Sequence, residues 1–561
     1  MRLLLFLLLA APFVTHAQNN YPQDYFSNPL EIPVVLAGTF AELRPNHFHS
    51  GLDIKTQGRE GLNVIASAEG YVSRIKVSHY GYGKALYITH PNGYTTVYAH
   101  LMKFSPQIEA YVKERQYHTE TFEIELFPTA EELTVLKNEL IAYSGNTGGS
   151  AAPHLHFEIR NKEEIPINPM LFGIDTKDTT PPFVTAIYAY PIDEDAHVNN
   201  SNLKQKLRLI PLQNGDYSVE NIEACGRIGF GIVTNDRQDL AANKNGVYSI
   251  QTFVNGSKLY ELDFSQFSFD ETKHLNRLID YQHYIKNRER VQKLFNDKNP
   301  LSIIKSVSNN GYLEVKDSTS LVYKIRVTDY QNNESWLTVP IKGVQKDNIE
   351  KTMEVITPYH IEADQTTNLK EGMIAVDIFK DTFYDDLYLN FEVSGDTLKL
   401  HEDDIPLQKS FKITFDVSNY KPLDREQLYI AKLVGRQKFP SYVGSNKEDE
   451  NLTAFSKTLG TFALALDTIA PTIKPINFKD GSWLSNYRYL KVKIDDEFSG
   501  ISNYRATVND KWVLMEYDYK TNTLVHDFND GIISDTKNNF KLIVTDNVGN
   551  NSTFEAVFYR K

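Results

Sequence analysis

Between residues 28 and 172, apolar and polar positions alternate in short runs rich in Val, Ile and Tyr, broken by glycine pairs, as in "HYGYGKALYITHPNGYTTVYAHL". A period of two over runs this short predicts antiparallel strands. Asn92-Gly93, flanked by "ALYITH" and "YTTVYAH", predicts a tight hairpin. A polar, Glu-rich stretch at 104–138 interrupts the alternation, and "TAEELTVLKNEL" after Thr129 predicts a short helix with Thr129 as its N-cap. It reads as an insertion at the edge of a β domain.

Beyond residue 175 the alternation continues in a background richer in Asn, Asp, Thr and Tyr, and the chain repeats itself. "DTTPPFV" at Asp178 returns as "DTIAPTI" at Asp467, and "GVYSIQTFVNGSKLYELDF" at Gly246 returns as "GISNYRATVNDKWVLMEYD" at Gly500. "KIRVTDYQNNES" at Lys324 returns as "KLIVTDNVGNNS" at Lys541. Three matches in the same order mean a duplicated unit. Strand alternation with turn signals at this spacing predicts a β-sandwich for each copy. The first copy is longer, and Leu275, Leu278, Ile279, Ile285, Val291 and Leu294 recur at helical spacing within its extra segment, predicting an inserted amphipathic helix. Between the copies, residues 346–466 form a β-rich stretch that matches neither.

The predicted class is therefore mainly β: an N-terminal antiparallel domain at 18–174, β-sandwiches at 175–345 and 467–561, and a further β domain at 346–466. Residues 1–17 have the basic, apolar and small-residue layout of a secretory signal peptide, which predicts export to the periplasm, the cell envelope or beyond. No later stretch is long and apolar enough to span a bilayer.

With 561 residues, 41% hydrophobic and 23% charged, the chain is built to fold as several domains. Its formal net charge of −13 argues against a nucleic-acid partner. The only cysteine, Cys225, has no partner for an internal disulfide.

Candidate chemistry is concentrated in histidine. In "HLHFEI", His154 and His156 share one face of a strand, with Leu155 and Phe157 on the other. Upstream, "NHFHSGLDI" offers His47, His49 and Asp53, and "YAHL" places His100 at a strand end. A same-face His pair with a distant His and carboxylate is a donor set suited to zinc. His47 suits a rim position or plain solvation, and His79, His90 and His118 read as exposed polar residues.

Taken in order, "HFHSGLDI", "GYGKALYITHPNGYTTVYAHL", "SGNTGGS" and "PHLHFEI" resemble the M23 family of zinc metallopeptidases, the lysostaphin-like or LytM-type peptidoglycan endopeptidases. Carried over by position, the resemblance implies zinc held by His49, Asp53 and His156, with a fourth position left for water, and His100 and His154 as the two further active-site histidines. It implies peptide stems or cross-links of peptidoglycan as substrate. Two other readings share the motifs: a non-catalytic scaffold that regulates cell-wall amidases, and a zinc protease acting on secreted or surface proteins. The C-terminal modules look like bacterial immunoglobulin-like domains, for which a protein or cell-wall partner is the expectation.

Overall fold

The computed structural model describes residues 21–174, 176–351 and 355–561, so the expected signal peptide lies outside the described residues. Strands dominate throughout. Among the described residues no helix is long and apolar enough to cross a membrane.

The N-terminal region is built on a nine-stranded sheet. Its central order runs Leu36–Gly38, Leu52–Lys55, His154–Arg160, Thr95–Ala99, Lys84–Thr89 and Gly70–Val77. All of these pairings are antiparallel. One face carries Val72, Ile75, Leu86, Ile88, Tyr98, Leu155, Phe157 and Ile159 into the core. The other face is where the histidines project. The Asn92-Gly93 hairpin joins Lys84–Thr89 to Thr95–Ala99, but only Gly93 has a positive φ, of 86°, so the connection is longer than a two-residue turn.

Two helix expectations differ from the structure. The helix in the insertion is Pro106–Thr119, not the stretch after Thr129. Pro106 at its first turn presets φ, and Ile108, Val112 and Gln116, spaced four apart, bury one face. "TAEELTV" instead makes a turn and the short strand Thr134–Val135, which pairs with Tyr71 and Gly70 at the sheet edge. β-branched neighbours at 134 and 135 suit that strand better than a helix.

In the first repeated unit the apolar stripe is carried by broken pieces: Leu275–Leu278, Tyr281–Asn287 and the strand Gln292–Lys293. Asp280 stops the first helix and caps the second by accepting from the His283 amide at 3.0 Å. The stripe still buries Leu275, Leu278, Ile279, Val291 and Leu294.

The first unit is a thirteen-stranded sheet organised by the 14-residue strand Ile222–Asn235. Residues 222–224 pair in parallel with 341–343, and residues 228–235 pair with Phe183–Pro191, so one strand passes from one layer to the other. The middle region closes two five-stranded sheets over Phe411, Phe415 and Phe462. The last unit packs a four-stranded and a five-stranded sheet over Val492, Leu542 and Phe558.

Candidate metal centre and active-site groove

The run "APHLHFEIR" folds as the strand His154–Arg160, lying between Leu52–Lys55 and Thr95–Ala99. Its register pairs His156 with Asp53 on one side and with Ala99 on the other. His100 follows Ala99 directly, so three active-site positions meet around one strand residue. His49 enters from the preceding turn, its ring fixed by a 2.7 Å hydrogen bond from Nδ1 to the Thr39 carbonyl.

The hydrogen-bond partners determine which ring nitrogens are bare. A carbonyl can only accept, so the proton of neutral His49 sits on Nδ1 and leaves Nε2 as a lone pair. His156 Nε2 lies 2.8 Å from Glu158 Oε1 and donates to it, which leaves Nδ1 bare. Asp53 contributes Oδ1, since Arg44 ion-pairs with Oδ2. The three free positions converge: His49 Nε2 to Asp53 Oδ1 is 3.0 Å, His156 Nδ1 to Asp53 Oδ1 is 2.9 Å, and His49 Nε2 to His156 Nδ1 is 3.0 Å. Three buried lone pairs facing one another repel unless a cation or a proton lies among them. Two imidazoles and one carboxylate at this spacing suit zinc, whose bonds to such ligands are about 2.0–2.2 Å. The residues present therefore fit the metal.

Electrostatics describe the same centre with protons in place of the ion. Burial pushes His49 down. Burial also acts to lower His156, but its hydrogen bonds to Asp53 and Glu158 outweigh this and raise it to about 9. Burial works to raise Asp53, and the surrounding His49, His154 and His156 overcome it, holding the carboxyl well below its ordinary range. The pocket is anionic enough to retain a positive charge.

His100 and His154 stand beside this centre with ring centroids 4.8 Å apart. His100 donates Nδ1–H to the Thr147 carbonyl at 2.9 Å, and His154 donates Nδ1–H to the Ala152 carbonyl at 2.8 Å. Both are thereby fixed with Nε2 bare. His154 Nε2 is buried without a hydrogen-bond partner and lies 3.3 Å from Asp53 Oδ1. Burial, with His156 and His154 nearby, lowers His100 to about 3 and keeps it neutral. His100 also holds a left-handed φ of 57°, a conformation that is strained for a non-glycine residue.

Several partners were not singled out from sequence. Glu158 is fully buried and gathers His156 Nε2, Ser50 Oγ at 2.6 Å, Tyr82 Oη and Arg160 Nε at 2.6 Å. Burial alone would raise Glu158, but Arg160 and His156 hold it charged, below the usual range. It orients a ligand imidazole as outer carboxylates do around zinc. The signal was available: the two-residue period that aligns His154 with His156 continues to Glu158 and Arg160. Arg44 had no comparable signal.

The remaining histidines divide. His47 is exposed and outside the cluster, its Nδ1 bonded to the Pro45 carbonyl at 2.8 Å. His118 is exposed, as expected. His90 is instead buried, bonded to the Glu69 carbonyl and to Thr96 Oγ1, both at 2.8 Å, and serves the core. His79 stacks on Phe122 and meets Tyr517 of the last repeated unit, so it is an interface residue.

The loop "SGNTGGS" at 144–150 carries the Thr147 carbonyl that orients His100. A Cβ on Gly148 would lie 2.3 Å from the Gly83 nitrogen and 2.4 Å from the Gly81 carbonyl, so only glycine lets the loop lie against the turn before Lys84. The last unit braces this loop from outside. Tyr519 Oη bonds the Gly148 carbonyl at 3.3 Å, and Lys520 Nζ reaches the Asn146 carbonyl and, at 3.1 Å, that of Ser150.

Residues 47–117 match the model of Peptidase family M23, and residues 358–467 match that of a Zu5-like domain. A DD-carboxypeptidase/endopeptidase Mpg of Neisseria meningitidis serogroup B is 33% identical over 164 residues, 29% of this chain and 30% of that protein. An uncharacterized metalloprotease of Haemophilus influenzae is 36% identical over 110 residues, 20% of this chain and 18% of its own length. The chain thus spans less than a third of these relatives. The catalytic domain of lysostaphin from Staphylococcus simulans is 21% identical over 25% of this chain and 93% of that domain, with a TM-score of 0.19. The histidine-bearing sheet is thus similar to peptidase family M23 over residues 47–117, and the β units that continue the chain lie outside that match.

Proposed function

We propose that the chain is an exported zinc metalloendopeptidase that hydrolyses peptide cross-links of bacterial peptidoglycan. One observation carries the reading: the bare donor atoms of His49, Asp53 and His156 converge within 3.0 Å of one another, and the bare Nε2 atoms of His100 and His154 belong to rings on the same face. Zinc held by those three residues would supply a Lewis acid and a water acidic enough to attack a peptide carbonyl near neutral pH. His100 and His154 each keep a proton on Nδ1 and have Nε2 free, so either can accept the water's proton and later return one to the leaving amine. The other, with the same bare Nε2, can accept a hydrogen bond from the attacking water and orient it. Glu158 and Arg44 fix His156 and Asp53 respectively. Similarity to a DD-carboxypeptidase/endopeptidase supports a peptidoglycan peptide as substrate.

The test is mass spectrometry of soluble fragments released from purified cell walls by the wild type, by the wild type with chelator, and by His156→Ala. Cross-link cleavage by the wild type alone, falling to background in the other two, is expected. Release that survives both treatments removes the metal mechanism. Absence of release from the zinc-loaded wild type points to the regulatory scaffold, and cleavage of protein substrates alone moves the substrate class.

A further inference from the structure

The duplicated units share three aspartates at matching places. Asp178 stands five residues ahead of the strand Phe183–Pro191, and Asp467 five ahead of Thr472–Pro475. Asp236 directly follows Ile222–Asn235, and Asp496 directly follows Tyr489–Asp495. These are the strands that pair with the first two, through Phe183 with Asn235 and Thr472 with Asp495. Asp329 and Asp546 occupy the same place in the two "VTD" motifs. In each unit the three side chains offer carboxylate oxygens within 4.8 Å of one another.

Among the described residues none of the six carboxylates forms an ion pair with Lys, Arg or His. Loop hydrogen bonds fix them instead. Thr180 N donates to Asp178 Oδ1 at 3.0 Å, Asn333 donates to both oxygens of Asp329, and Asp546 Oδ1 accepts from the amides of Val548, Gly549 and Asn550.

A second observation points to a ligand. In the first unit the three carboxylates line a cavity of about 30 Å³, room for one small ion or one water. Asp236 is 4% exposed and its Oδ1 accepts no hydrogen bond, and Thr176, 2% exposed and lining the same cavity, has an equally unpartnered Oγ1. In the last unit Ser499, 2% exposed, donates its amide to Asp467 Oδ2 at 3.1 Å and has an unpartnered Oγ. Buried oxygens left without donors are costly unless something positive meets them.

We infer that each repeated unit binds one calcium ion, through Asp178, Asp236 and Asp329 in the first and through Asp467, Asp496 and Asp546 in the last. The donors are all oxygen, which excludes a preference for zinc or copper and selects a hard cation. Calcium accepts six to eight oxygens in irregular arrangements, so three carboxylates, a hydroxyl and water suffice, whereas magnesium demands a near-ideal octahedron.

The experiment uses the full mature chain, stripped of metal on a chelating resin and reloaded with one equivalent of zinc. Calcium titration by calorimetry is expected to give two ions per chain, with midpoints in the range of about 10⁻⁴–10⁻³ M known for extracellular modules. Thermal unfolding should shift upward by several degrees with calcium and by less with magnesium at equal concentration. Asp236→Asn and Asp496→Asn should each remove one ion. In calcium-free buffer both should melt no lower than the wild type, because each removes a negative charge from a like-charged group. Thr176→Val, which keeps every carboxylate, should weaken the first site alone and stands in if an aspartate variant fails to fold. No binding at tenfold above that concentration range, an unchanged stoichiometry in the double variant, or an equal shift with magnesium overturns the assignment.

Discussion

The two repeated units meet the histidine-bearing sheet in opposite ways. The first is welded to it. Phe267 lies 5.2 Å, centroid to centroid, from both Phe40 and Phe48, the Asn168 amide bonds the Ser265 carbonyl at 2.8 Å, and one apolar core runs from Phe26 through Ile341 without a break. The last unit has a separate core and touches the same sheet through polar groups and rings. Lys84 pairs with Glu516 at 2.8 Å, Lys113 with Asp530, Arg505 with Glu120, and Tyr80 packs on Tyr519 at 4.6 Å. One repeated unit is part of the interior of the histidine-bearing domain and the other is a docked neighbour. What a unit does is set by the residues at its contact surface, since the repeated motifs are common to both.

The contrast can be broken at single residues. Phe267→Ala opens a cavity at the welded junction and should cost about 3–5 kcal/mol, lowering the denaturant midpoint of the N-terminal domain and first unit together while the last unit's transition stays in place. Asp530→Ala leaves Tyr117 Oη and Lys113 without their shared acceptor at the docked junction. It should cost about 1–3 kcal/mol, seen as protease nicking between the last unit and the rest with the N-terminal domain's transition unmoved. Lys520→Ala removes the hydrogen bonds of an exposed side chain to two loop carbonyls and should change global stability by less than about 1 kcal/mol. It should nonetheless reduce turnover several-fold by loosening the loop that orients His100, a split between stability and rate that the welded side cannot show. If Phe267→Ala and Asp530→Ala shift the same transition by the same amount, the distinction between the two junctions fails.

The candidate centre was legible because its geometry is local. Period-two alternation in "HLHFEIR" sets the face, and a strand register then needs only Asp53 opposite His156 to assemble two of three donors. The duplication was legible too, since its motifs recur in order. Sequence was mute where long-range contacts decide. The stripe from Leu275 to Leu294 has helical spacing and is buried, yet Asp280 caps a new helix in its middle and splits it. The helix Pro106–Thr119 buries only three residues, too sparse a pattern to outweigh the Glu-rich decoy after Thr129. Grouping of the aspartates was hidden because Asp236 lies ten residues before Gly246 while Asp496 lies four before Gly500, so the third position falls out of alignment. Arg44 approaches Asp53 only through a turn that no periodicity announces.

The brace on the loop at 144–150 is supplied by Tyr519 and Lys520, 371 and 374 residues after the Gly148 and Asn146 carbonyls they hold. Synthesis runs from the N-terminus, so the sheet and its histidines are complete long before that support exists. A nascent or prematurely terminated chain carries the donor set with its His100 carbonyl partner unsupported. The support of the loop that orients His100 is thereby tied to residues made long after the histidines themselves, a form of timing written into the order of the residues.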